Sequence, residues 1–313
     1  MQNLLRTLMI VVPVFSLIFI GTALRKTGLL SLDFSTCASR IVYRVALPVL
    51  IFLKIAQTDF FSFFNWQEMV FVYAATSILY VLLWILSRCV SIPEDRGVLI
   101  QGSFRGNFAV IGFPLIANAY GEPALARAAI VLAYILPLYN GLSILALSLP
   151  AIHAFGPPMK KIAVSILLNP LILAVFAALP FSLCSVPLPE IITRTLNPLS
   201  AMVLPLALLA LGGSLDFNIK RDEIRMTAVA VLLKNLIFPV LLTGSAVFLG
   251  FRNESLGVLT MLFFAPTALV SYVMTESMGG NTRLASHIIM ITTIFSVITI
   301  TASIYILTFL GYI

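Results

Sequence analysis

The chain has 313 residues, 60% of them hydrophobic and 10% charged, with a formal net charge of +7. A soluble domain carries roughly 25% charged residues, and a soluble fold of this length has no interior that could hide so much apolar surface, whereas a bilayer accepts it on the outer faces of helices. An ordinary soluble enzyme is excluded. Nucleic-acid binding is disfavoured too, because the positive charge sits in short connections between apolar runs, with no basic stripe of interleaved aromatics.

Arg6 precedes an apolar run from Leu8 to Leu24, and Arg25-Lys26 follows it. The run is too long for a signal-peptide core and lacks a cleavage site, so it reads as a retained first transmembrane helix. Further runs of roughly 20 residues meet the length requirement for spanning helices. They place ten spans near 4–24, 35–56, 67–90, 97–119, 124–149, 161–181, 190–212, 226–250, 255–277 and 284–310. Connections such as Pro93-Glu94-Asp95-Arg96 and Asp216 to Arg225 leave no room for a soluble domain. Cys37, Cys89 and Cys184 are far apart, and the two histidines, His153 and His287, share no ligand spacing with them. The cysteines read as buried small hydrophobes, and neither a metal nor a cofactor is expected.

A duplication is visible. At a shift of 157, Pro13 falls on Pro170, Leu47-Pro48 on Leu204-Pro205, and Asp59-Phe60 on Asp216-Phe217. Near 160, Gly97-Val98-Leu99 falls on Gly257-Val258-Leu259; at 159, Gly121 falls on Gly280. The halves are 1–152 and 153–313, five helices each. Five is odd, so the second half enters the membrane from the opposite side, as in many secondary transporters. One side of the membrane carries Arg6, Lys54, Arg127, Arg194 and Arg252, and the other carries twelve Lys and Arg, among them Arg25, Lys26, Lys160 and Arg225. The richer side reads as cytoplasmic, which puts both termini outside the cytoplasm.

The fourth span holds Gly102, Gly106 and Gly112, with Asn107 between them and Pro114 beyond. Glycine weakens a helix and proline removes a donor, so this span is expected to break near its middle, with its freed groups facing protein or a watery cavity. The ninth span, its repeat partner, carries Pro266, which aligns with Gly106. Two breaks at corresponding positions bring half-helix N-termini together as an anion cradle, to which Asn107, Thr267 and Ser271 add hydrogen bonds. Arg105 lies beside the first break; it either attracts the anion or pairs with carbonyls. Lys234, followed by Asn235, lies inside the eighth span, as a structural charge held by an ion pair or carbonyl, or as a functional one. Tyr139 and Asn140 follow Pro137 in the fifth span and either line the same cavity or serve as helix–helix glue. Glu122 and Glu276 read as interfacial. No clearly buried carboxylate remains in any span, so the sequence offers no support for proton coupling.

Ser103-Phe-Arg-Gly-Asn-Phe-Ala-Val-Ile-Gly-Phe-Pro-Leu115 resembles the fourth-helix motif of the auxin efflux carrier family of permeases. Pro266-Thr-Ala-Leu-Val-Ser, Glu276-Ser-Met-Gly-Gly280 and Leu284-Ala-Ser286 resemble its ninth and tenth helices, and the likeness runs along essentially the whole chain. The resemblance implies an all-α integral membrane protein of ten transmembrane helices in two inverted five-helix repeats, with broken, crossing helices 4 and 9. It implies a scaffold domain from helices 1, 2, 6 and 7 and a transport domain from helices 3–5 and 8–10, moving as an elevator. It further implies a substrate carboxylate at the crossing, Asn107 as the crossover asparagine, and a homodimer. Bacterial members are malonate- or malate-type permeases, which implies residence in the bacterial inner membrane; nothing here indicates an indole pocket, and Trp66 and Trp84 lie outside the crossover.

The expected function is therefore a secondary carrier of a small organic anion, with the bilayer as its other partner. An anion channel is the alternative, disfavoured by the paired breaks. An intramembrane enzyme is disfavoured because HExxH, GxGD and GxSxG are all missing from the chain.

Overall fold

The computed structural model describes residues 2–89, 93–148, 159–215 and 221–313. The 152/153 boundary, His153, and the Asp216-Phe217 partner of Asp59-Phe60 lie outside them. The described residues form helices and connections, with one isolated β-bridge and no strand. Among the described residues the longer helices, in chain order, are α1 (Gln2–Lys26), α2 (Leu32–Ala56), α3 (Trp66–Leu86), α4 (Pro93–Phe104), α5 (Phe108–Tyr120), α6 (Glu122–Leu147), α7 (Met159–Leu167), α8 (Pro170–Leu183), α9 (Glu190–Ser214), α10 (Glu223–Phe248), α11 (Asn253–Phe264), α12 (Val270–Ser277) and α13 (Thr282–Phe309). Seven are long and apolar enough to cross a membrane: α1, α2, α3, α6, α9, α10 and α13. Their outer faces expose large apolar side chains, such as Phe19, Ile78, Leu241 and Ile298, as lipid-facing helices do.

Three of the helical rods widen into one π-turn: Val42–Ala46 in α2, Phe108–Gly112 at the start of α5, and Leu233–Ile237 in α10. Each is followed at once by X-Pro, with Pro48, Pro114 and Pro239. A proline cannot donate to the carbonyl four residues back and its ring clashes there, and the widened turn absorbs the misfit. Pro13 and Pro137 sit inside α1 and α6 without one.

Helix α9 packs on α1 and α2, and α2 on α8, while α4, α6, α10, α11 and α13 pack in a second set that meets the first where α1 lies on α13 and α2 on α6. The tightest approach in the first set is α1 against α9. A side chain on Gly21 would strike the backbone of Leu209, and one on Gly212 the carbonyl of Ile18. The contact lets Thr22 Oγ1 donate to the Gly212 carbonyl at 3.0 Å, and Arg25 donate to the Gly213 carbonyl at 2.5 Å. Small residues that let backbones meet are the usual basis of helix association in lipid, where the hydrophobic effect between helices is lost.

Three expectations are corrected. The sixth span is not continuous: α7 ends before Asn169, whose side chain accepts from the backbone N–H groups of Leu171 and Ile172 and starts α8 afresh at Pro170. Asparagine before proline is a helix start, and hydropathy alone does not see it. The cysteines are exposed rather than buried, since a lipid-facing surface accepts a small thiol as readily as a core does. Third, a carboxylate is buried within a span. Glu68, in the first turn of α3, is only 2% exposed. Ser255 Oγ donates to it at 2.9 Å, with Arg127 Nη1 and the Tyr134 hydroxyl each at 3.4 Å. Arg127 Nε also donates to Glu254 at 2.8 Å. The network ties α3, α6 and α11. Glu68 lies at a helix end, where the sequence suggests an interface; the two neighbouring helices bury it.

Substituting Gly212 with leucine is expected to cost about 1–3 kcal/mol through forced separation of α1 and α9. Gly244, whose Cβ position is open, is the control. Thermal unfolding of the two purified variants in detergent should show a lowered midpoint for Gly212→Leu and an unchanged one for Gly244→Leu.

Candidate functional site

The helical path stops twice inside the apolar region, at Arg105-Gly106-Asn107 and over residues 265–269. The two breaks meet. Gly106 and Thr267 form the isolated antiparallel bridge. The Asn107 N–H donates to the Pro266 carbonyl at 2.6 Å, and the Ala268 N–H to the Arg105 carbonyl at 3.1 Å. Backbone groups freed by one break are thus satisfied by the other, as an apolar medium demands. Gly106 eases this approach: a Cβ there would make tight contacts, 3.1 Å from the Leu262 carbonyl oxygen and 3.3 Å from Lys234 Nζ. Thr267 locks the bridge, its Oγ1 donating to the Gly102 carbonyl at 2.6 Å and its N–H to Thr292 Oγ1 at 3.2 Å.

Dipoles of both signs converge here. α4 and α11 end at the breaks with C-terminal carbonyls, which carry partial negative charge, while the Phe108 and Val270 ends carry partial positive charge. Lys234, 3% exposed, donates from Nζ to the Phe263 carbonyl at 3.2 Å, at the negative end of α11. A carbonyl contact is one of the partners the sequence allows for Lys234, and it leaves the functional reading open. Arg105, also 3% exposed, reaches away from the bridge toward α6 and α12. Its Nη1 donates to Ser143 Oγ at 3.0 Å and to the Met274 sulfur at 2.9 Å, and its Nη2 to Asn140 Oδ1 at 2.8 Å. Among the described residues neither cation touches a carboxylate; the ion pairs there lie elsewhere.

Around the cations stand polar atoms without partners. They are the amide nitrogens of Asn107 and Asn140 and the hydroxyls of Ser103 and Ser271, all buried. Native interiors rarely leave such groups unpaired, so the cluster asks for an acceptor that a ligand would supply. Tyr139, 5% exposed, packs edge-on against Phe104 with ring centroids 5.8 Å apart. With Lys234, Ser103, Thr76 and Phe263 it lines a cavity of about 10 Å³, room for about one water.

Two residues expected at the site stand apart. Pro114 is buried in the first turn of α5, about two helical turns beyond Asn107, and acts on helix geometry. Asn235 turns to α13, donating to the Thr292 carbonyl at 2.8 Å. Ser143, Met274 and Thr292 also stand at the site, and the sequence does not single them out. Ser143 was legible, since it lies three residues past Asn140 on the same helical face; Met274 and Thr292 gave no signal. A larger cavity of about 340 Å³ lies between the ends of α2 and α8 and the start of α9. Asp59 lines it and no lysine or arginine does, which is the wrong charge for an anion.

The chain is 24% identical over 293 residues to an uncharacterized transporter of Methanothermobacter thermautotrophicus, covering 93% of this chain and 95% of that protein. It is 24% identical over 306 residues to an uncharacterized transporter of Methanocaldococcus jannaschii, covering 93% and 96%. A Rhizobium meliloti protein named "Putative malonate transporter" is 25% identical over 311 residues, covering 95% of each. The model of the family described as membrane transport protein matches residues 7–152 and 157–305. Read with the multiple apolar helices, this makes the chain a multi-pass membrane protein that belongs to the membrane transport protein family, the auxin efflux carrier-like permeases.

Proposed function

We propose that this transporter is a secondary carrier of a small dicarboxylate, bound where the two breaks meet. The observation that carries the reading is the pairing of two buried cations, Arg105 and Lys234, with four orphaned polar groups and no carboxylate in contact. A buried cation without a counter-ion is costly. Two of them flanking one break favour a guest with two negative charges, and the malonate named for the Rhizobium meliloti relative has that chemistry.

The surrounding architecture supports alternating access. The cavity beside the crossing, lined by Ser103, Tyr139 and Lys234, is too small for a dicarboxylate, so the guest enters only when helix groups separate; a channel would need a continuous path. The packing of α9 on α1 and α2, and of α8 on α2, supports a scaffold, and the second packed set supports an elevator body carrying the site, the two meeting where α1 lies on α13 and α2 on α6. In this reading the chain crosses the membrane ten times as two inverted repeats. α4–α5 and α11–α12 are spans 4 and 9, α7–α8 is span 6, and both termini face away from the cytoplasm of a bacterial inner membrane.

Three outcomes test it. In proteoliposomes, Asn107→Ala should lower initial malonate uptake roughly 10- to 100-fold, the loss expected when a hydrogen bond to a charged group goes, at unchanged membrane insertion. Normal uptake by that variant removes the crossing from the account. Unlabelled dicarboxylates should compete with malonate while acetate at equal concentration does not; equal competition by acetate contradicts the dianion reading. Alkaline phosphatase fused after Ile313 should be active, and an inactive but well-expressed fusion reverses the orientation.

A further inference from the structure

A second buried titratable group lies away from the crossing, between the starts of α10 and α13. His287 is 1% exposed, and its Nδ1 lies 2.6 Å from Oε2 of Glu223, which is 14% exposed. That separation puts the two groups within ion-pair range when the imidazole is protonated. The pair carries net charge −1 when the imidazole is neutral and none when it is protonated. An apolar cluster including Val98, Leu147, Ala230, Leu284 and Ile288 packs in the same region, where charge is expensive. Among the described side chains, the other charged groups on the elements packed there include Asp95 and Arg96 on α4 with Arg105 just past its end, Glu276 on α12, Arg225 and Lys234 on α10, and Arg283 on α13 itself. Asp95 accepts from Asn281 Nδ2 at 2.9 Å.

Two observations link this pair to the crossing. α13 runs unbroken from it: Ile288, the next residue, packs on Gly102, and Thr292 supports both Thr267 and Asn235. On α10, Thr227 stands one turn inward of Glu223 on the same face, 3% exposed, its hydroxyl without a partner. Lys234 continues that face, eleven residues from Glu223. Polar groups therefore lead from the cytoplasmic end toward the site, and an unpaired buried hydroxyl among them marks a place for water.

We infer that Glu223 and His287 form a proton-binding site in the moving body, and that transport is linked to proton movement. Hydronium in the water at the open end gives up a proton, an N–H bond forms on the imidazole, and the pair passes from −1 to neutral. The reverse step returns the proton to water on the other side. This inference rests on the carrier reading above.

The test is malonate uptake into proteoliposomes with and without an imposed pH gradient, alongside malonate–malonate exchange without one. One proton per cycle lets the wild type accumulate malonate up to about tenfold per unit of gradient. His287→Gln and Glu223→Gln should lose that accumulation and keep exchange. A wild type indifferent to the gradient, or variants that still respond to it, overturns the inference. If malonate does not move at all, the substrate reading fails instead, and nitrogen NMR decides this site independently. In His153→Gln protein His287 is the single histidine; a ring that takes up a proton within the pH range of the assay, with spectra altered by Glu223→Gln, supports the site. A ring with one protonation state throughout that range overturns it.

Discussion

Every feature of the site follows from one constraint: inside an apolar medium, a broken helix must find new partners for the backbone groups it frees. Here each break supplies the other. Asn107 donates to the Pro266 carbonyl, Ala268 donates to the Arg105 carbonyl, and Gly106 permits the approach. Neither interruption would be tolerable alone at this depth. Together they make a short piece of antiparallel pairing where continuous helices would offer only side chains.

That pairing decides the electrostatics. Two half-helices present their negative ends, and Lys234 caps one of them through the Phe263 carbonyl. The interrupted segments leave side-chain donors pointing inward with nothing to bind, while Arg105 is held aside by neutral acceptors, Ser143, Asn140 and Met274. Positive charge held by neutral partners is not neutralised, as it is in an ion pair. The contrast within the molecule is instructive: Arg127 sits between Glu68 and Glu254, and its charge is spent on joining three helices.

Much of this was legible in the residues. The glycines at 102, 106 and 112 and the proline at 266 announced both breaks, because glycine and proline act through local backbone chemistry that needs no tertiary context. Length and hydropathy announced the membrane. Burial of polar groups was less legible. Glu68 lies one helical turn from a connection, and only the packing of α6 and α11 shows it to be enclosed. The Glu223–His287 pair joins residues 64 positions apart, beyond any periodicity. The break at Asn169 was carried by an Asn-Pro step that a hydropathy window averages away. The π-turns before Pro48, Pro114 and Pro239 were half visible: proline announces a misfit, but whether the helix kinks or widens depends on its neighbours.

The most direct test of the central claim is a cryo-electron microscopy map of the protein with malonate bound. The account predicts ligand density at the junction of residues 105–107 and 265–269, within hydrogen-bond reach of the Asn107 amide. Density lodged instead in the cavity beside Asp59, or helices running unbroken through residues 105–107 and 265–269, would contradict it.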